Sequence, residues 1–385
     1  MIRVEKIIPG GQALCTIPDG KKGFLWNALP DEEIIKYKIT KNKSHYFEAI
    51  ATEISHHSPF RVEPKDTCFL STSPWQIINY NYELKLKQEL VVEIFREHHI
   101  NIETPEIITD GKDYYYRNKM EYALYWDNES QKIEPAFHAR GSHRKILVKK
   151  SSLEHPELFD KAISIISQLN ANHEEARKYQ SLLLRRSQNG EISGGLFENG
   201  RPHPTFRNLS DTLLGYKYSY SPNGFFQINL PVYELALKEI KKHITTDKVL
   251  DLYAGVGTIG LSVARDRSLT LVECDRSAYS ELEKNCKDTT GKTPLAVLTK
   301  SEDALTYITS DQTVIVDPPR AGCDAKLINK LNEIKPQKII YLSCNPATQA
   351  RDIITLLKNY KIEMVKTFNF FPHTPHIENL VVLSL

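Results

Sequence analysis

The chain has no apolar run approaching the ~20 residues needed to cross a membrane. Its opening, Met1-Ile2-Arg3-Val4-Glu5, lacks the apolar stretch of a secretory signal. The expectation is a soluble, cytoplasmic protein with no obligate protein partner evident. Charge of one sign is also missing: 50 Lys+Arg stand against 48 Asp+Glu, a net +2. A polyanion partner would therefore have to be met by a local patch rather than by an overall field. Paired cysteines are absent as well. The six cysteines, at 15, 68, 274, 286, 323 and 344, contain no Cys-x-x-Cys. That excludes a disulfide framework and a zinc site built from close pairs. Solenoid repeats and low-complexity stretches are missing too. What remains is an ordinary globular composition over 385 residues, 41% hydrophobic and 25% charged. At roughly 100–200 residues per domain, this is chain enough for two or three domains.

Residues 1–60 read as five short strands, 4–8, 13–17, 23–26, 33–39 and 47–52, broken by Pro9-Gly10-Gly11 and Pro18-Asp19-Gly20. Strands and turns at that spacing predict a small closed barrel of the OB type, which serves nucleic-acid binding or a structural cap equally well. Residues 59–74 carry Ser58-Pro59, Glu63-Pro64 and Ser73-Pro74 and read as a linker. Leu84, Leu86, Leu90, Val91, Ile94 and Phe95 recur at helical spacing over 82–98. Residues 112–222 read as a β-rich α+β region with strands at 120–125 and 145–148 and a helix near 157–170. From Asp247 onward strands and helices alternate, which predicts an α/β, mostly parallel, doubly wound sheet.

The strand that begins this sheet runs into Asp251-Leu252-Tyr253-Ala254-Gly255-Val256-Gly257-Thr258-Ile259-Gly260. Glycines there let a ligand approach the backbone, and Glu273, at the end of the next strand, is placed to accept ribose hydroxyls. The glycine spacing also fits a dinucleotide site. The Asp-x-Tyr that precedes it looks instead like the S-adenosylmethionine (SAM) methyltransferase fold. Two further strands end in chemistry-bearing residues: Val316-Asp317-Pro318-Pro319-Arg320 and Leu342-Ser343-Cys344-Asn345-Pro346. Ligands of doubly wound sheets bind beyond the carboxyl ends of the strands, so Asp317 and Cys344 should face the cofactor. Cys323, at a helix start, is a rival nucleophile. Cys274 and Cys286 read as core. Glu378, in His376-Ile377-Glu378, has a plain alternative as a strand-end salt-bridge partner.

Asp-Pro-Pro-Arg, Ser-Cys-Asn-Pro and the final His-Ile-Glu, in that order, resemble the RNA uracil-5-methyltransferase family. The likeness extends over nearly the whole chain: 1–60 looks like the TRAM-type barrel of its ribosomal-RNA branch, and Gly224-Phe225-Phe226-Gln227-Ile228-Asn229 like the entry to its catalytic domain. The resemblance implies three domains, at 1–60, 61–222 (RNA-binding) and 223–385 (catalytic). It implies SAM as methyl donor, contacted by Gln227, Tyr253, Glu273 and Asp317, with Cys344 as nucleophile and Glu378 as base. Such residue types suit the chemistry. A thiolate added to uracil C6 makes C5 nucleophilic toward a methyl group, and a base then removes the C5 proton so that the thiol can leave.

On the RNA side, residues 138–150 hold Arg140, Arg144, Lys145, Lys149 and Lys150 and no acid, while Tyr114-Tyr115-Tyr116-Arg117-Asn118-Lys119 sets aromatics beside cations. Phosphate contacts and stacking surfaces of this kind suit looped RNA, whose target base must be unstacked to reach a buried thiol. Many family members also hold an iron–sulfur cluster on four cysteines. Here only Cys68 stands in the matching region and Ser151-Ser152 where a fourth is expected, so no cluster is expected. The sequence thus predicts a SAM-dependent enzyme making 5-methyluridine, with ribosomal RNA favoured over transfer RNA by the barrel alone. A transfer-RNA enzyme and a non-catalytic RNA-binding protein are the rivals.

Overall fold

The structure, a computed structural model, describes residues 1–172, 177–202, 206–287 and 292–385. Five strands, Ile2–Ile7, Ala13–Thr16, Lys22–Trp26, Glu33–Asn42 and Tyr46–His56, close into a barrel in the order first, second, third, fifth, fourth. Alternating residues fill it: Val4, Ala13, Cys15, Leu25, Ile34, Phe47 and Ala49 are all buried. The bore is narrow. A Cβ on Gly23 would lie 2.4 Å from the Phe47 ring and 2.6 Å from the Cys15 sulfur, so only glycine fits there. The last two strands outrun their expected ends and project as an exposed hairpin.

The expected linker is in fact fastened on both sides. Arg61 donates to both Glu32 carboxylate oxygens at 2.5 and 2.8 Å, and the buried Trp75 indole donates to the Gly11 carbonyl at 3.0 Å. The helix Tyr80–Glu97 follows, started by Asn79, whose side chain accepts from the Asn81 and Tyr82 N–H groups. Its apolar stripe, Leu86, Leu90, Val91, Ile94 and Phe95, joins the barrel core to one face of the C-terminal sheet in a single cluster. The short strand Glu106–Ile108 then pairs in parallel with Lys361–Phe368 of that sheet. The helix Tyr80–Glu97 and the strand Glu106–Ile108 therefore pack with the C-terminal sheet, although they lie within 61–222. Sequence order hides this, because the paired residues, Glu106 and Lys366 for one, lie far apart in the chain.

The central unit is a six-stranded antiparallel sheet, ordered 201–202, 192–198, 181–186, 119–127, 132–138, 145–147, with the helix Pro156–Asn170 against it. The hairpin Leu209–Leu213/Tyr216–Tyr220 leads on to the helix Leu230–Lys242, which the sequence reading did not identify.

The C-terminal sheet has eight strands, ordered 295–298, 268–273, 248–252, 312–316, 338–343, 378–384, 361–368 and 106–108. The first five run parallel, and Glu378–Ser384 runs antiparallel between Lys338–Ser343 and Lys361–Phe368. Strand order reverses between Lys248–Leu252 and Gln312–Val316, which opens a crevice beyond their carboxyl ends. Among the described residues no helix is long and apolar enough to cross a membrane.

Candidate active site

Parallel strands end at one edge of the sheet and an antiparallel strand begins there. That rule alone brings Tyr253, Glu273, Asp317 and Cys344, which end or follow parallel strands, together with Glu378, which opens the antiparallel one. The register sharpens it. Ser343, the residue before Cys344, pairs with Asn379, the residue after Glu378, so the two strand ends lie side by side. A cavity of about 980 Å³ lies at this edge, and Gln227, Tyr253, Glu273, Asp317, Cys344 and Glu378 all line it. Phe225, Arg320, Phe371 and His376 line it as well.

The cofactor end is shaped by glycine and by a buried acid. Gly255 and Gly257 have φ of +56° and +90°, and nothing lies within 4 Å of where a Gly255 side chain would start. The backbone there is open to a ligand. Asp251 does not line the cavity. It sits 1% exposed beneath the turn, accepts the Gly260 N–H at 2.8 Å, and would clash with any Gly260 side chain at 2.7 Å. Burial pushes its carboxyl up to about 8; the Gly260 bond opposes this, and the nearby Asp317 and Glu273 add to it. Glu273 accepts N–H groups from Gly255 at 2.8 Å, Cys274 at 2.7 Å and Asp275 at 2.6 Å. A carboxylate has about four acceptor positions, so one remains for a hydroxyl donor.

The loop carrying Gln227 is held from behind by the central sheet. Asn118 Nδ2 and Arg185 Nη2 donate to the Gln227 carbonyl at 3.1 and 3.0 Å, and Lys119 Nζ donates to Asn223 and Gly224 at 3.2 Å. Arg185 is fully buried against Tyr220 and Phe226. With the backbone so tied, the Gln227 side chain lines the cavity. The open turn, the acid at the end of the second strand and Asp317 opposite them fit the ribose and amino-acid ends of SAM.

At the reaction end, Ser-Cys-Asn-Pro forms a strand-to-helix elbow. Ser343 Oγ accepts the Asn345 N–H at 3.1 Å, Asn345 caps the helix Pro346–Leu356, and its Nδ2 donates to the Arg320 carbonyl at 2.9 Å. Cys344 is left at the elbow, half-buried. Burial, then Glu378 and Asp317, push its thiol up to about 11, while Arg320 opposes them. Burial and the neighbouring Asp317 push the Glu378 carboxyl well above the usual range. Burial alone takes Asp317 to about 7. Burial and then Arg320 hold His376 down to about 4, so it is neutral at pH 7. Its Nδ1 lies 3.4 Å from Arg320 Nη2.

The rival thiol is elsewhere. Cys323 is buried outside this cavity, its N–H donates to Asp352 at 2.8 Å, and burial pushes its thiol to about 12. Cys274, expected in the core, is exposed instead: the strand stops at Glu273 and Cys274 turns outward onto the cavity. Cys286 is buried as expected.

The expected RNA patch is only partly solvent-facing. Arg144, Lys149 and Lys150 are exposed. Arg140 lies 4.1 Å over the Trp26 ring and donates to the Leu70 carbonyl, fastening the central sheet to the barrel, while Lys145 donates to the Leu124 carbonyl at 2.6 Å. In the tyrosine run only Tyr115 is exposed. Tyr114 packs between Lys65 and His373, and Tyr116 is buried with its hydroxyl on the Pro372 carbonyl at 3.0 Å. Cys68 is buried in the central core, and among the described residues no His/Cys/Asp/Glu cluster is placed to hold a metal.

The sequence model of the tRNA (uracil-5-)-methyltransferase family matches residues 300–385, which carry Asp317, Cys344 and Glu378. An uncharacterized RNA methyltransferase of Bacillus anthracis is 27% identical, covering 94% of this chain and 92% of its own length. One from Staphylococcus aureus is also 27% identical, covering 94% and 93%. Among solved structures, the tRNA (uracil-54, C5)-methyltransferase of Pyrococcus abyssi, in complex with S-adenosyl-L-homocysteine, matches over 100% of both chains with a TM-score of 0.77 and 23% identity. Motifs, relatives and fold agree, and the resemblance to the SAM-dependent RNA uracil-5-methyltransferases is borne out.

Proposed function

We propose that the chain methylates C5 of a uridine in RNA, with Cys344 as nucleophile and Glu378 as base. The observation that carries this is the convergence of Cys344 and Glu378 on the cavity that Tyr253, Glu273 and Asp317 also line, with Glu378 close enough to raise the Cys344 thiol. SAM supplies an electrophilic methyl group there; Gln227, Tyr253, Glu273 and Asp317 would hold it. Cys344 Sγ adds to uracil C6, and the electrons released onto the ring make C5 nucleophilic. After the methyl group arrives, a Glu378 carboxylate oxygen takes the C5 proton and the C6–S bond breaks, returning the electrons to sulfur. Burial raises the Glu378 carboxyl, so the group must first give up its own proton; once ionised it is a stronger base than a surface carboxylate. The half-buried Cys344 thiol is protonated near neutral pH, so its proton passes to solvent as the sulfur adds to C6. Phe225, 73% exposed at the mouth, offers a ring face to an unstacked base.

The substrate assigned is large-subunit ribosomal RNA, on the strength of the N-terminal barrel. Transfer RNA is the second reading, favoured by the end-to-end match to an enzyme whose described substrate is tRNA. Incubating the protein with methyl-labelled SAM and either 23S ribosomal RNA or bulk transfer RNA, each lacking 5-methyluridine, decides between them. Label at uridine C5 of the ribosomal RNA supports the first reading. Label in transfer RNA alone supports the second, and label in neither removes both.

A further inference from the structure

The segment 369–377 joins the strand Lys361–Phe368 to Glu378 and places Phe371 and His376 on the cavity wall. Its backbone is fastened carbonyl by carbonyl. Those of Phe370, Phe371, Pro372 and His373 accept, in turn, from Asn229 Nδ2 at 3.2 Å, Lys87 Nζ at 3.1 Å, the Tyr116 hydroxyl at 3.0 Å and the Trp75 N–H at 3.1 Å. The His373 N–H donates to both Glu83 oxygens at 3.0 Å, and His373 itself holds a φ of +61°, a conformation that needs such support.

Two of these partners are charged, fully buried and one helical turn apart on Tyr80–Glu97: Glu83 and Lys87, paired at 2.8 Å. A buried ion pair is a poor stabiliser, since taking two charges out of water costs several kcal/mol per ion and an apolar pair of similar volume often does as well or better. Packing therefore does not explain it. An apolar pair could not do what this one does for the loop. All three Lys87 N–H donors are placed, on Glu83, on Asn369 Oδ1 at 2.7 Å and on the Phe371 carbonyl, while Glu83 takes the His373 N–H.

We propose that Glu83 and Lys87 are positioning residues for the proton-removal step, holding the loop so that Glu378 meets the C5 proton. This rests on the uridine reading above. A helix from outside the catalytic sheet thereby sets the geometry of the base without entering the cavity. The cofactor turn, on strands 248–252 and 268–273, is untouched by the pair.

The test is the double variant E83Q/K87M. The new glutamine keeps an acceptor for the His373 N–H, the new methionine fills the space of the lysine stem, and no charge is left unpaired in the interior. Three quantities are compared with the wild type: the denaturant midpoint, SAM affinity by calorimetry, and turnover on RNA carrying deuterium at uridine C5. The expected result is an unchanged or higher midpoint, unchanged SAM affinity, and turnover reduced by about tenfold to a hundredfold, the scale of an ångström-level misplacement. The deuterium effect on turnover should grow, and a denaturant-resistant protein–RNA adduct should accumulate. Should that variant fail to fold, E83Q/K87Q restores two N–H donors, and its turnover should lie between that of E83Q/K87M and the wild type with the same enlarged deuterium effect. Wild-type turnover with a wild-type deuterium effect in a folded variant overturns the proposal. So does a parallel loss of turnover, SAM affinity and midpoint, which would make the pair merely structural. A wild-type protein that leaves uridine C5 unmethylated overturns the uridine reading itself, and the proposal with it.

Discussion

Replacing Asp251 by asparagine should reverse the order of stability between acid and alkaline pH. The carboxyl is buried beneath the glycine turn, one oxygen on the Gly260 N–H and the other without a partner, and is pushed up to about 8 against 3.8 for a free aspartate. Below the lower value the carboxyl is protonated whether the chain is folded or not, and nothing is lost. Between the two, the folded state keeps a proton that the unfolded state releases, so stability falls as pH rises, by about 1.4 kcal/mol per unit. Above pH 8 the whole loss, on the order of 5 kcal/mol, is present. Asparagine keeps an acceptor for Gly260 and cannot ionise, but its amide nitrogen inherits the position without a partner, which costs about 1–3 kcal/mol at every pH. The wild type should therefore be the more stable at about pH 4 and the variant the more stable at about pH 9. Urea midpoints measured across that range, at fixed ionic strength, check this. Curves that stay parallel would refute the argument, because they would mean that Asp251 has the same proton affinity folded and unfolded.

Three further outcomes are expected. Arg144→Ala should reduce the salt dependence of RNA binding by about one counterion. Arg140→Ala should instead cost about 1 kcal/mol of stability through the lost Trp26 contact and leave the salt slope alone; titrations at several salt concentrations with parallel unfolding curves separate the two. Iodoacetamide at about pH 8 should label the exposed Cys274 before Cys344, and Cys344 labelling should rise about tenfold per pH unit until near its value of about 11; peptide mapping reads both. Arg185→Met should lower kcat/KM for RNA by about tenfold, because the loop that carries Phe225 and Gln227 loses its clamp; steady-state kinetics show it, and unchanged kcat/KM would remove the clamp from the account.

Much of this was legible before the fold. The glycine turn, Glu273, Asp317 and Cys344 follow from one topological rule, that parallel strands present their carboxyl ends on one edge. Glu378 did not follow from that rule, since it stands at the start of its strand and not at the carboxyl end. Its arrival beside Cys344 needs the antiparallel insertion of the last strand, which no local pattern announces. Charged residues were the least legible. Lys87, Glu83 and Arg185 are fully buried, and Arg140 is half-buried on Trp26, yet in sequence they look like any solvated charge. Their carbonyl and ring partners lie far off in the chain, as Lys87 and Phe371 illustrate at 284 residues. Cys274 was misplaced by a single residue at a strand end, where the side-chain alternation stops applying.

The central claim, that Cys344 attacks and Glu378 removes the proton, is tested most directly by one denaturing gel with labelled RNA and SAM. Cys344→Ala should give no adduct and no methylation while still binding SAM. Glu378→Gln should accumulate a methylated, denaturant-resistant RNA–protein adduct, because attack and transfer proceed while proton removal stalls. Cys323→Ser, altered outside the cavity, should behave as the wild type. An adduct that persists in Cys344→Ala and vanishes in Cys323→Ser would move the nucleophile to Cys323 and contradict the account. Full turnover by Glu378→Gln without an adduct would do the same for the base.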